Sequence, residues 1–233
     1  MKKLLVLVLM LGLLPVTSGF AQTTKGNTLL GVSSQFSLLP LEEGISMSGL
    51  LGIGFGNFKV KSDGGEENDN ETKLRSFNSS PRLGFFVVDN LALGADLNFS
   101  SVKMKNSFDE YEYEGESENT MSLFGFGPFA RFYFPTGKMF PFIEAGALFG
   151  QVKNKYKWES NWGDGEEEEK IGVSGFNAGA GVGFPLGEKA VLDLALGYQS
   201  MAFKGKEDNP DNERTIVGTF GLKVGIVVIL GKK

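Results

Sequence analysis

The sequence predicts an all-β protein, namely an eight-stranded antiparallel up-and-down transmembrane β-barrel that follows a cleaved signal peptide. Three observations lead to this prediction. The chain begins with the pattern of a secretory signal. Long segments after it carry an apolar residue at every second position. Short turns and long acidic segments alternate between those segments, which is the asymmetry of outer-membrane barrels.

The N-terminus predicts the compartment. Two lysines precede an apolar run over 4–14, and Ala21 ends a small-residue cleavage site. This run is too short to span a bilayer, which requires about 20 apolar residues. We therefore expect residues 1–21 to be a secretory signal peptide and residues 22–233 to form the outer-membrane β-barrel domain. A buried core helix is the alternative for the run.

Seven segments show the apolar–polar alternation of strands, and each is long enough for a tilted membrane strand of about 10 residues. They are 72–87, 91–105, 120–134, 140–153, 172–184, 190–203 and 214–230. Short turns of Pro, Gly, Asp and Asn join the first to the second, the third to the fourth and the fifth to the sixth. We expect these turns to be periplasmic and the long acidic segments to be extracellular.

Closure of the ring needs an eighth strand, which must come from 26–61. Two alternating stretches in that region are separated by 40–44, where Pro, Glu and Gly interrupt the pattern. If both stretches crossed the membrane, the barrel would have nine strands and its termini would lie on opposite sides. Bacterial barrels have an even number of strands, so we expect one crossing, interrupted or preceded by a short N-terminal segment.

The composition of the two strand faces favours a membrane barrel over a soluble barrel of the lipocalin type. In 91–105 one face carries Leu, Ala and Phe, whereas the other carries Gly, Asp, Asn and Ser. A soluble barrel would present a solvated outer face rich in Lys and Glu. Aromatic residues are also concentrated near the turn ends of the strands, as is typical of the aromatic girdle at a membrane–water interface. We therefore expect the apolar face to contact lipid and the polar face to line the lumen.

The few charges on the inward faces predict pairs between neighbouring strands, because opposed residues in a hairpin share a constant index sum. The three predicted pairs are Arg82 with Asp96, Arg131 with Glu144, and Asp193 with Lys223. The first pairing also places Val87 opposite Leu91 around a three-residue turn. We expect a polar, charge-paired and plugged lumen with a structural role. A narrow passive pore for small solutes is the alternative, because the inward face is rich in Gly.

The sequence lacks the side chains of most catalytic and metal-binding sites. It contains no Cys and no His, which excludes disulfides, thiol nucleophiles, Ser–His catalysis and imidazole or thiolate metal sites. The inward acids face bases and not each other, so no carboxylate pair is predicted. We therefore expect neither enzymatic activity nor a cofactor. A formal net charge of −5 argues against nucleic acid as a partner.

The long acidic segments predict a negatively charged extracellular loop surface. Its candidate residues are Glu66, Glu67, Asp69, Glu112, Glu114, Glu166, Glu167 and Glu168. The spacing of an EF-hand loop is absent and such acids are more often simply solvated, so we assign no metal site. Divalent cations bridging these acids to lipopolysaccharide remain a hypothesis. Aromatic residues among the acids form either an outer interfacial belt or a recognition surface for a ligand of unknown identity.

Five motifs resemble the outer-membrane protein beta-barrel domain family (porin-family proteins) of Gram-negative bacteria. They occupy 25–31, 80–94, 127–133, 141–146 and 221–225. The resemblance covers essentially the whole mature chain and implies an eight-stranded barrel similar to the N-terminal half of outer-membrane protein A. It brings no catalytic or ligand-binding residues.

Two departures from the family pattern stand out. The stretch 39–47 is longer than the family's first strand and loop, and the chain ends without the terminal aromatic residue of many such barrels. The assembly machinery would then read an internal signal such as 220–222. We expect a monomer in the cell outer membrane, with outer-membrane lipid, lipopolysaccharide and the barrel assembly machinery as partners.

Overall fold

The computed structural model describes most of the chain after the expected signal peptide. The described residues are 23–37, 54–59, 71–110, 113–134, 136, 138–160, 163–205 and 213–231. The predicted signal peptide and cleavage site lie outside them. Within the described part of the chain, no helix is long and apolar enough to cross a membrane.

Nine antiparallel strands are described. They are β1 (Thr28–Ser37), β2 (Gly54–Lys59), β3 (Glu71–Val88), β4 (Leu91–Glu110), β5 (Tyr113–Tyr133), β6 (Phe140–Ser160), β7 (Gly163–Pro185), β8 (Ala190–Gly205) and β9 (Thr215–Leu230). Strands β3 to β9 pair in sequence order, and β1 pairs with both β9 and β3. The sheet is therefore closed into a barrel with no free edge at this seam.

The nine strands occupy eight positions in the ring. β1 pairs with residues 80–85 of β3, whereas β2 pairs with residues 71–76 of the same strand. Both run antiparallel to β3, so β2 continues the position of β1 toward the far rim. This confirms the predicted eight-stranded up-and-down barrel and the single, interrupted N-terminal crossing. The residues that separate the two strands lie outside the described ranges.

The two rims of the barrel differ in the length of their connections. On one rim the strands are joined by the short segments 89–90, 134–139 and 186–189. On the other rim β4 to β7 extend far, with lengths of 20, 21, 21 and 23 residues. Acidic residues predicted to lie in loops, over 113–118 and 163–169, are therefore strand residues. That part of the prediction is wrong, because regular pairing between β4 and β7 continues through them.

The first short turn also differs from the prediction. Val88, and not Val87, is opposite Leu91, and a register shift lies between Phe86 and Val88. The turn has two residues because Asn90 adopts a left-handed conformation with φ of 68°, which Asn tolerates better than most residues. Asn90 is held there by the chain before β1: its backbone N–H donates to the Thr23 carbonyl at 2.7 Å, and its side-chain oxygen accepts from the Thr23 hydroxyl at 2.6 Å.

The outward face of the barrel is apolar over a continuous band. Leu196 and Phe77 leave 60% and 58% of their surface exposed, far more than isolated exposed residues on a soluble protein would explain. Aromatic rings pack along this band, for example Phe99 on Phe124 and Tyr198 on Phe220, with centroids 5.3 and 5.1 Å apart. The orientation of the two faces, apolar outward and charged inward, is as predicted and suits a lipid solvent.

Candidate functional site

The six charged residues predicted in the lumen come together in one cluster near mid-barrel. They lie on six different strands: Arg82 on β3, Asp96 on β4, Arg131 on β5, Glu144 on β6, Asp193 on β8 and Lys223 on β9. Their side chains point inward because each sits at a position that alternates with lipid-facing residues. Four of the six are buried, and Arg131 exposes only 2% of its surface, whereas the Lys223 side chain remains 21% exposed.

Arg82 and Asp96 form a bidentate pair. The Arg82 Nε and Nη2 atoms donate to the two carboxylate oxygens of Asp96 at 3.0 and 2.8 Å. The two residues are directly opposed on β3 and β4, which confirms the predicted register. A fork-to-carboxylate arrangement of this kind combines charge with fixed geometry.

Glu144 connects three cations. It is directly opposed to Arg131, as predicted, and accepts from the Arg131 Nε atom at 2.8 Å. Its carboxylate also accepts from Arg82 Nη1 at 2.5 Å and from Lys223 Nζ at 2.7 Å. The cluster is therefore a network around one carboxylate and not three separate pairs.

The predicted pairing of Asp193 with Lys223 is wrong. Asp193 is opposed to Gly225, and Lys223 is opposed to Ala195, so the register differs by two residues from the prediction. Asp193 instead accepts a hydrogen bond from Arg131, while Lys223 reaches Glu144. A slip of two residues keeps every side chain on the same face, and the narrow lumen then brings charges on non-adjacent strands into contact.

An apolar layer lies in the lumen between the charge cluster and the short-turn rim. Its buried residues are Leu29, Phe86, Ala92, Phe129, Tyr133, Phe140, Phe142, Val191, Val227 and Ile229. Two of its rings contact the guanidinium groups: Arg82 lies 4.4 Å from the Phe129 centroid, and Arg131 lies 4.0 Å from that of Phe142. These cation–π contacts join the layer to the cluster.

A second apolar layer lies on the other side of the cluster, toward the long-hairpin rim. Its buried residues are Val102, Met121, Leu123, Leu148, Val152, Val173, Met201 and Phe203. Sequence reasoning missed this layer and predicted a polar inward face throughout. The sequence does contain a signal for this layer, because the apolar–polar alternation of β4 reverses beyond Phe99. Val102 points inward and Lys103 points outward, since this part of the strand lies beyond the lipid.

Little space remains between the charge cluster and the second apolar layer. A cavity of about 40 Å³ is lined there by Ser33, Ser80, Asp96, Asn98, Asn177 and Lys223, together with apolar residues of that layer. Since about 10–15 Å³ of such volume accommodates one water molecule, the cavity has room for about three or four waters. Its polar lining residues can form hydrogen bonds with enclosed water.

The predicted acidic surface is only partly described. Glu166, Glu167 and Glu168 lie on β7, and Glu114 lies on β5. Glu66, Glu67, Asp69 and Glu112 lie outside the described residues. In the part of the chain that the structure describes, no group of three or more Asp, Glu, His or Cys side chains could hold a metal ion.

The acids of β5 and β7 that face outward are paired with lysines of the neighbouring strands. The carboxylate of Glu166 lies 2.5 Å from Lys155 Nζ and 3.2 Å from Lys157 Nζ. Hydrogen bonds from these two lysines lower the pKa of Glu166 below its usual range. Glu118 and Lys103 form a similar pair at 2.7 Å. Lys157 is directly opposed to Glu166, and the other two pairs are diagonal. Such cross-strand pairs stabilise the extended hairpins beyond the apolar band.

The comparison with protein families agrees with this architecture. A family model described as outer membrane protein beta-barrel domain matches residues 28–225. No curated protein matches the sequence.

Solved structures of bacterial outer-membrane barrels are similar to the chain over most of its length. The N-terminal β-barrel domain of Pseudomonas aeruginosa OprF is 10% identical, with 88% of this chain and 98% of that chain covered and a TM-score of 0.30. Ail, the attachment invasion locus protein of Yersinia pestis in complex with the heparin analogue sucrose octasulfate, is 16% identical, with 88% and 99% covered and a TM-score of 0.38. Neisserial surface protein A is 13% identical, with 87% and 94% covered and a TM-score of 0.31.

The bidentate pair in the lumen predicts a coupled loss of stability. Arg82→Ala should lower the free energy of unfolding by about 3–5 kcal/mol, because Asp96 stays buried without its partner. Combining it with Asp96→Ala should recover part of that loss. Urea titration of the lipid-embedded barrel, read by its heat-dependent gel shift, measures both. Strictly additive losses would show that the two side chains do not interact, and Lys105→Ala on the solvated rim serves as a control with little effect.

The lysine contacts of Glu166 predict an acid-sensitive hairpin tip. Because its pKa is lowered in the folded chain, the contribution of Glu166 to stability is present at neutral pH and is lost as the pH falls through that lowered value. Amide hydrogen exchange at the tip of β6 and β7 should therefore accelerate on acidification. Glu166→Gln should reduce this pH dependence, whereas Glu167→Gln, on the other strand face, should leave it unchanged. Identical pH profiles in the two variants would contradict the assignment.

Proposed function

This chain belongs to the outer membrane protein beta-barrel domain family, and from that premise we propose that it is a barrel with a sealed lumen and a structural and surface-interaction role. Its location is the outer membrane, and it is a membrane barrel and not an enzyme. In such barrels the short turns are periplasmic and the long connections extracellular. The extended hairpins of β4 to β7 then project from the cell surface.

One observation carries the sealed lumen: a neutral charge cluster lies between two apolar layers. An ion moving along the axis would have to lose its hydration shell at each apolar layer, where no polar group replaces the lost water. At the centre it would have to compete with charges that already neutralise one another. Pairing of this kind is a structural use of buried charge, and it supports a plug in preference to a channel.

The outward and upper surfaces support the interaction role. The apolar band contacts outer-membrane lipid, and the charged hairpins above it are accessible to lipopolysaccharide headgroups and to an extracellular ligand. Phe220, which starts the expected internal assembly signal, exposes 57% of its surface to the lipid side and is therefore accessible to the assembly machinery. A monomer suits this proposal, because the ring is closed and its lumen is complete within one chain.

A narrow passive pore is the second candidate. The polar cavity of about 40 Å³ favours it, since it shows that the centre of the lumen is not fully packed. To conduct, the barrel would have to displace the second apolar layer, in which Val152 is fully buried.

Single-channel recording distinguishes the two candidates. The mature chain is refolded, shown to be folded by its heat-dependent gel shift, and added to planar bilayers beside a larger porin as a positive control. A sealed lumen predicts silence under conditions in which the porin conducts. Steady, reproducible conductance of the folded protein would contradict the sealed lumen and establish the pore.

A further inference from the structure

The extended hairpin of β6 and β7 carries its charges differently on its two faces. On the outward face the acids contact lysines, as Glu166 contacts Lys155. Glu167 and Glu169 lie on the opposite face, which they share with Val173 of the second apolar layer. Both are exposed, and neither forms an ion pair with a residue that the structure describes. The inward face of this hairpin therefore carries two negative charges without a partner.

An aromatic pair lies beside these acids on the same face. Tyr156 is directly opposed to Glu167. The Trp158 ring stacks on the Tyr156 ring, with centroids 5.6 Å apart and planes inclined by 29°. Trp158 in turn packs on the backbone of Gly165, where a Cβ atom would overlap the indole ring. Tyr156 is still 40% exposed, so one face of a supported ring is open next to a free carboxylate.

Amide oxygens without a donor flank the same ring. Asn119 is directly opposed to Tyr156 on β5, and Asn154 precedes Tyr156 by two residues on the same face of β6. The Oδ1 atoms of both are buried and accept no hydrogen bond from the described part of the chain. Buried polar atoms normally have a partner. Because both residues are partly exposed and the terminal amide torsion is soft, these oxygens can accept from a ligand.

The inner patch is defined by Asn119, Asn154, Tyr156, Glu167 and Glu169. It offers acceptors, negative charge and an open ring, which is the complement of a guanidinium group. That group has five N–H donors and a permanent positive charge, and its planar face stacks on aromatic rings. A metal ion would make no use of the ring, and in the described part of the chain no group of three or more Asp, Glu, His or Cys side chains could hold one.

The two carboxylates are spaced for two guanidinium groups. Glu167 and Glu169 are two residues apart on one strand, which separates them by about 7 Å along it. An extended peptide places every second side chain on one face at the same interval. Arginines at alternate positions of such a peptide therefore match both carboxylates at once.

We propose that the inner patch binds an extended peptide segment of an extracellular protein that carries arginine at alternate positions. One guanidinium stacks on Tyr156 beside Glu167, and the other contacts Glu169 and the amide of Asn154. This proposal deepens the surface-interaction role, and it rests on the extracellular orientation of the hairpins given under the proposed function.

The spacing is tested on the folded mature chain in nanodiscs of zwitterionic phospholipid, with binding read by fluorescence anisotropy. The probe is a labelled, blocked five-residue glycine peptide with arginine at positions two and four. Its isomer has arginine at positions two and three, so the two side chains point to opposite sides when the peptide is extended. The first should bind about tenfold more tightly. Equal dissociation constants would overturn the proposal, since charge alone does not distinguish the isomers.

Variants of the inner patch locate the site. Glu167→Gln and Tyr156→Leu should each weaken binding of the alternate-arginine peptide about tenfold. The matched controls are Glu166→Gln, which removes a carboxylate from the outward face of the same strand, and Tyr198→Leu, which removes a lipid-facing ring on β8. Both controls should bind as the unmodified chain does. Equal losses in the patch variants and their controls would contradict the assignment.

Two further measurements concern the chemistry of the ligand. Asn154→Asp adds a negative charge beside the second guanidinium, so it should tighten binding. Replacing both arginines of the peptide by lysine should weaken binding, because an ammonium group lacks the planar face. Calcium chloride should compete no better than sodium chloride of the same ionic strength. Stronger competition by Ca²⁺ would indicate a metal site and overturn the peptide assignment.

Conductance in planar bilayers is recorded on the same preparations so that two failures can be distinguished. A conducting barrel that still prefers the alternate-arginine peptide would refute the sealed lumen and leave the inner patch intact. A silent barrel without that preference would refute the inner patch alone. The heat-dependent gel shift shows that each variant is folded, and the comparison of the two peptide isomers uses the unmodified chain.

Discussion

Charged side chains buried at the middle of a membrane must neutralise one another, and the architecture of this barrel depends on that requirement. Glu144 receives hydrogen bonds from Arg82, Arg131 and Lys223, while Asp96 and Asp193 balance the two guanidinium groups. Removing one member of such a set leaves an uncompensated buried charge at a cost of several kcal/mol. The strands that carry these residues are therefore held in one register around the lumen.

The two apolar layers follow from the same requirement. Ion pairs and hydrogen bonds are stronger where water is excluded, and an apolar layer lies on each side of the cluster. Arg82 and Arg131 each stack on a ring of the layer nearer the short turns, so packing and charge hold the same side chains. Under the proposed function the lumen serves as a structural core, and the outward face and the extended hairpins are the surfaces left for recognition.

Alternation predicted the strands, the lipid-facing side and the registers across tight turns, as the opposition of Arg82 to Asp96 shows. It failed for Asp193 and Lys223, because the connection between β8 and β9 is long and a slip of two residues changes no face. It also failed where strands leave the lipid. In those segments the outward-facing residues are Lys and Glu, and the inward-facing residues are Val, Met and Leu. The alternation is thus reversed relative to the lipid-embedded segments, and for this reason the sequence predicts acidic loops there instead of strands.

Accessibility of the lumen tests the sealed core most directly. The chain contains no cysteine, so a single Ser80→Cys substitution places one thiol in the central cavity that Ser80 lines. Ser160→Cys, at the end of β6 on the exposed rim, is the matched control. In lipid vesicles, a membrane-impermeant thiol reagent should modify the Ser160→Cys thiol rapidly and the Ser80→Cys thiol only after unfolding in urea. Equal rates for the two thiols in the folded barrel would contradict the account.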